Sequence, residues 1–129
     1  MVTYNGWAII RDTYTDDFNF DKEASIVNLI NNKLSTFHYD NEFYDLRNIN
    51  GNHHLTIQAG HNHRHNEIIE FFKWIAEIAP GSFGLLYIHD DEDLLRQNEN
   101  RFKVWRMRRG TVDELDDTFL SPLNPAVED

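Results

Sequence analysis

The chain has 129 residues, 22 acids against 12 bases, a formal net charge of −10 and no cysteine. That length suits a single domain spanning residues 1–129 that buries a core without covalent staples, and the absent cysteines exclude disulfides, thiolate metal sites and a cysteine nucleophile. The acidic balance argues against direct nucleic-acid binding, which calls for basic patches, and suits a basic protein partner, although from charge alone a need for solubility is the better reading.

The opening stretch "MVTYNGWAIIRD" lacks a basic region followed by a long apolar run, so it does not read as a secretory signal. No stretch approaches the ~20 apolar residues of a membrane-spanning helix, and a cytoplasmic protein without membrane contact is expected. "GWAIIRD", residues 6–12, predicts a buried first strand. "FDKEASIVNLINNKL" predicts a helix with Asp21 as N-cap and Val27, Ile30 and Leu34 on one face. "FYDLRNI" and "HHLTIQA" flank Asn50-Gly51-Asn52, a strong hairpin signal because Asn and Gly tolerate positive φ; Leu55, Ile57 and Ala59 then alternate to one face.

"NEIIEFFKWIAEIAPG" predicts a second helix with an apolar stripe of Ile68, Phe71, Phe72, Ile75 and Ala79, stopped by Pro80-Gly81. "SFGLLYIH" predicts a short buried strand and "RFKVWRMRR" a later one. The remaining "GTVDELDDTFLSPLNPAVED" is acidic and holds two of the three prolines, and it reads as an irregular wrapping tail anchored by Phe119 and Leu120. The order β-α-β-β-α-β-β predicts an α+β fold: a two-layer sandwich with a mainly antiparallel sheet and two helices on one face.

Three groups of side chains could carry chemistry. In "HNHRH", His61, His63 and His65 would share one face of a strand and could converge on a transition metal. The segment lies between a strand and a helix, however, and no Cys or Asp completes the set, so a surface loop is the better reading and no metal is expected. The run Asp90, Asp91, Glu92 and Asp93 follows an apolar strand directly. It lacks the spacing of an EF-hand loop, and its alternatives are a solvated turn or a contact surface for Lys and Arg of a partner. In "RFKVWRMRR", Phe102, Val104, Arg106 and Arg108 share one face and Lys103, Trp105, Met107 and Arg109 the other; its arginines can pair with acids such as Asp113 and Asp116. There is no phosphate-cradling glycine loop and no nucleophile elbow, so the sequence argues for a binding protein without catalytic residues or cofactor. The competing reading is a small metal-dependent enzyme using His61, His63 and His65 or the Asp90–Asp93 acids.

A tryptophan-bearing helix ending in Pro-Gly, then "GLLYIHDDED", "FKVWRMRRG" and "DTFLSPLNPAVED", together resemble the immunity protein 7 family of bacterial polymorphic toxin and contact-dependent inhibition systems. The resemblance covers about residues 74–129, with Trp7 and the α+β order agreeing in the first half. It implies an α+β fold, no catalysis, and a secreted toxin's C-terminal domain as the partner neutralised inside the producing cell. Charge logic adds that an acidic inhibitor most naturally meets a basic nuclease. On this reading Asp90, Asp91, Glu92 and Asp93 are the first candidates for toxin contact, and Asp113, Glu114, Asp116 and Asp117 the second. Gly84, Leu85, Leu86 and Trp105 are read as core.

Overall fold

In the computed structural model, which describes residues 1–17, 19–38 and 40–122 with the side chains of Arg96 and Gln97 excepted, the first strand organises the rest. Strand β1 (Val2–Ile10) buries Val2, Tyr4, Ala8 and Ile10 along one side, while Trp7 on the other side stays exposed. The alternation is that of a sheet covered on one face only.

Five further strands are β2 (Glu42–Ile49), β3 (Asn52–His61), β4 (Phe83–Asp90), β5 (Lys103–Arg108) and β6 (Thr111–Asp116). The order across the sheet is β2-β3-β1-β4-β5-β6, and every neighbouring pair is antiparallel. Helix α1 (Phe20–Leu34) connects β1 to β2 past the intervening β3. Helix α2 (Glu67–Ile78) connects β3 to β4 past β1. The result is a doubly split β-α-β arrangement extended by the β5–β6 hairpin.

Both helices pack on the same face. Ile26 and Ile30 of α1 and Ile68, Phe71, Phe72 and Ile75 of α2 join one core with Tyr4, Ala8, Leu55, Ile57, Leu86, Ile88, Trp105 and Met107 from four strands. Register explains the coincidence: Ala8 lies opposite Leu55 on one side and Gly84 on the other, and Leu86 lies opposite Trp105. The α+β class, the two helices on one face and the antiparallel sheet thus agree with the sequence reading.

Several local expectations need correcting. The N-cap of α1 is Asn19, whose side-chain oxygen accepts from the backbone N–H groups of Asp21 (2.9 Å) and Lys22 (3.1 Å). Asp21 instead sits in the first turn, where its charge complements the helix dipole. Strand β1 begins four residues earlier than the apolar run suggested, and β3 extends to His61. Leu85 faces the uncovered side of the sheet and is only half-buried, whereas Gly84, Leu86 and Trp105 are core. Residues 111–116 are a strand rather than part of a tail. Arg109 (φ 49°) and Gly110 (φ 78°) form a two-residue turn like Asn50 (φ 52°) and Gly51 (φ 90°), since two successive positive φ values match the twist of a hairpin. Phe119 is 87% exposed and Leu120 is exposed, so neither anchors the segment; the rest of that segment, 123–129, lies outside the described residues.

Two substitutions probe this core. Phe72→Ala, or Trp105→Ala, is expected to lower unfolding free energy by ~3–5 kcal/mol through lost burial and the cavity left behind. At Gly84 a Cβ would lie 2.0 Å from the Trp7 carbonyl oxygen and 2.7 Å from Ala8 Cα, both backbone atoms of β1. Gly84→Ala therefore cannot be relieved by a rotamer change, and a cost of ~1–3 kcal/mol or more is expected. Urea unfolding of each variant checks both, and an unchanged midpoint for either places that residue outside the core contacts described.

Candidate functional site

The antiparallel registers bring many charged residues to one end of the sheet. Val2 pairs with both His61 and Asp90, Lys103 pairs with Ile88 and Asp116, and Glu42 pairs with Ala59, two residues before His61. Consequently the ends of β3, β4 and β6 and the starts of β1, β2 and β5 lie together.

The four consecutive acids close β4 and form the following turn. Each has a partner within the chain. Asp90, with a side chain 12% exposed, receives Arg64 Nε at 3.3 Å and the backbone N–H of Glu92 at 3.0 Å. The Arg64 guanidinium also lies 5.9 Å from the centre of the Trp105 ring. Asp91 pairs with the Met1 ammonium at 2.6 Å; this hydrogen bond holds the carboxyl below its usual range and raises the amine correspondingly. Glu92 meets the exposed ring of His63 at 3.2 Å. Asp93 accepts from the backbone of Leu95 (3.2 Å) and from the amide of buried Asn98 (2.9 Å), so it ties the turn to the short 3-10 helix Leu95–Asn100. Asp90 and Asp93 are thus built into the turn, whereas Asp91 and Glu92 present exposed carboxylates.

The second acidic group is divided by strand alternation. Asp113 lies on the uncovered face of the sheet and pairs with Arg106 at 3.1 Å, as the sequence suggested. Glu114 and Asp116 lie on the helix side of β6, at the sheet's edge. Asp116 bonds to Lys103 and lies 3.4 Å from Arg101. Asp117 accepts from the backbone of Phe119 (3.3 Å), and its own N–H donates to the Phe102 carbonyl (3.0 Å). Asp116 and Asp117 fall at the same sheet end as Asp90–Asp93; Asp113 and Glu114 lie further along β6.

The family model described as Immunity protein 7 matches residues 1–129, the whole chain. The chain belongs to the Immunity protein 7 family. No curated protein and no solved structure matches it significantly.

For a member of an immunity family, whose partner is a toxin, the accessible surfaces matter as much as the charges. The helix-free face of the sheet carries Trp7 and Phe83, packed edge to face at 6.3 Å, together with Phe43 and Leu115, all exposed. Beside them a hollow of about 440 Å³ is lined by Asn5, Tyr87, Phe102, Asp117, Phe119 and Leu120. A second hollow, about 740 Å³, has Phe37, Phe71 and Trp74 among its walls, with Lys33 Nζ 5.6 Å from the Trp74 ring centre.

His61, His63 and His65 do not converge as a trio. Among the described residues, the side chains brought together as potential metal donors are Glu42, His61 and His65. Glu42 Oε2 lies 2.6 Å from His61 Nε2 and 3.6 Å from His65 Nδ1. The Tyr44 hydroxyl donates to Glu42 Oε1 at 2.7 Å, and burial, reinforced by that carboxylate, pushes its pKa far above the usual tyrosine range. Glu42 was missed in the sequence, although a signal was present. Counting outward from the Asn50-Gly51 turn pairs Ile49 with Asn52 and reaches Glu42 opposite Ala59, on the side His61 shares.

The four acids are expected to respond unequally to mutation. Asp93→Ala removes the acceptor of a backbone N–H and of a buried amide, at ~1–2 kcal/mol. Glu92→Gln alters only an exposed pair and is expected to stay within ~0.5 kcal/mol of wild type. Chemical denaturation of the two variants side by side checks the ordering, and equal stability would show that Asp93 is as solvated as Glu92.

Proposed function

We propose that this chain acts in the cytoplasm of the producing cell, as one domain spanning residues 1–129. There it binds the C-terminal domain of a cognate toxin one-to-one and so neutralises it. The observation that carries this reading is the match of an immunity-protein family model to all 129 residues. Family membership supports binding rather than catalysis.

The finer proposal is a basic toxin domain of the nuclease class, met by the acidic end of the sheet. Its support is the net charge of −10 and the exposed carboxylates of Asp91 and Glu92. The 440 Å³ hollow adds an apolar component, because Asp117 lines it together with Tyr87, Phe102 and Phe119. An interface of this make-up is the usual combination of aromatic anchors with a charged rim. Of the eight candidate acids, Asp91, Glu92, Asp116 and Asp117 lead, since they gather at this end. Asp90 and Asp93 would act chiefly by shaping the turn, and Asp113 and Glu114 would lie toward the margin.

The test begins with co-expression of the chain and the toxin domain encoded beside it, followed by co-purification. A stable one-to-one complex that abolishes toxicity is expected, and failure to co-purify would overturn the reading. Association is then followed at two ionic strengths. The Asp91→Asn/Glu92→Gln double variant is expected to associate more slowly at low salt, with the difference shrinking at high salt. Phe119→Ala is expected mainly to speed dissociation. Unchanged kinetics in both variants, with circular dichroism confirming the fold, would move the interface away from this end.

A further inference from the structure

We propose that Glu42, His61 and His65 form a binding site for a divalent transition metal, with Zn²⁺ the best fit. The three donor atoms lie within 4.8 Å of one another, and both imidazoles are directed at the same carboxylate oxygen. Two imidazole nitrogens and one carboxylate oxygen are a borderline donor set suited to Zn²⁺ and poorly suited to Ca²⁺ or Mg²⁺. Around Zn²⁺, with ligand bonds of about 2.0–2.2 Å, tetrahedral donors stand about 3.4 Å apart. The observed separations from Glu42 Oε2, 2.6 Å and 3.6 Å, bracket that figure, so small side-chain rotations would admit the ion.

The surroundings are those of a prepared site. The Glu42 side chain is 3% exposed, and His61 and His65 both approach its Oε2. A buried carboxylate needs a compensating positive charge. A single dication held between it and the imidazoles would supply it. The Tyr44 hydrogen bond engages Oε1 and leaves Oε2 facing the histidines, the orienting role that outer groups play around bound metals. Tyr4, itself buried, accepts from the His65 backbone N–H at 2.8 Å and so fixes the loop that carries the third donor. The His65 side chain is 29% exposed, which gives the ion a route in and leaves the fourth coordination position on the solvent side. His63 is excluded: its ring, 80% exposed, is engaged by Glu92. The proposal concerns metal binding and does not depend on the toxin.

The experiment uses untagged, chelator-treated full-length protein titrated with ZnCl₂ by calorimetry. One equivalent is expected to bind with a Kd in or below the micromolar range and to raise the thermal midpoint, an effect reversed by EDTA. Co²⁺ in place of Zn²⁺ is expected to give the intense visible absorption of a tetrahedral centre. His65→Ala and Glu42→Gln are expected to abolish binding, and His63→Ala to retain it. Should either ligand variant fail to fold, the Co²⁺ spectrum of the wild-type protein decides by itself. The proposal is overturned if the wild-type protein takes up no stoichiometric metal, or if binding is lost in His63→Ala and kept in His65→Ala, which would place the ion on the exposed loop.

Discussion

Close contact between β1 and β4 is the constraint from which the remaining architecture follows. β1 is hydrogen-bonded on both sides, to β3 and to β4, and it alone joins the β2–β3 hairpin to the β4–β5–β6 meander. Gly84 permits the approach, since its missing side chain leaves the space that the Trp7 carbonyl and Ala8 Cα fill. With β1 in the middle, the residues on its helix side define the floor on which both helices rest. The same registers decide which strand termini meet, so the packing of apolar residues near the centre also fixes the positions of charged ones at the rim. Each crossover spans an intervening strand, which makes the sheet dependent on contacts distant in sequence and explains why no half of the chain contains a complete core.

Where local chemistry determined the outcome, the sequence was readable. Asn50-Gly51 set a hairpin because both residues adopt positive φ, and the 3.6-residue stripe from Ile68 to Ile75 set α2. Errors arose where two local signals competed or where the decisive contact was non-local. Asp21 and Asn19 are both capping residues; Asn19 took the role while Asp12, buried, accepts from the Asn19 backbone at 3.2 Å, a contact between residues seven apart. Strand β6 was hidden by its acids, which are tolerated because they alternate between two accessible positions on an edge strand and because Lys103, Arg101 and Arg106 stand opposite. Phe119 was read as an anchor on hydrophobicity alone, and a single exposed aromatic needs no such explanation.

The candidate site was only partly legible for the same reason. The sequence displayed the histidines and the acids as two linear clusters. Folding dismantles both and recombines them: His63 goes to Glu92, Arg64 to Asp90, and His61 and His65 to Glu42 from a different strand. Linear proximity is a poor guide here because successive residues of a strand face opposite ways, while folding brings Glu42 beside His61, nineteen positions away.

This recombination also bears on how an acidic surface can recruit a basic partner when its charges already have partners. An exposed contact such as Glu92–His63 contributes little, because attraction between groups in water is nearly offset by hydration and side-chain ordering. Exchanging such a partner for a Lys or Arg of another protein therefore costs little in the free state. Asp90 and Asp93 differ, since they also bind backbone or buried amide groups that an incoming side chain cannot replace. The chain's long-range field survives local pairing, because 22 acids against 12 bases leave a net charge of −10 whatever the pairing. Attraction at a distance thus comes from the excess charge of the whole molecule, whereas short-range selectivity must come from the few carboxylates that can change partners and from the apolar hollow beside them.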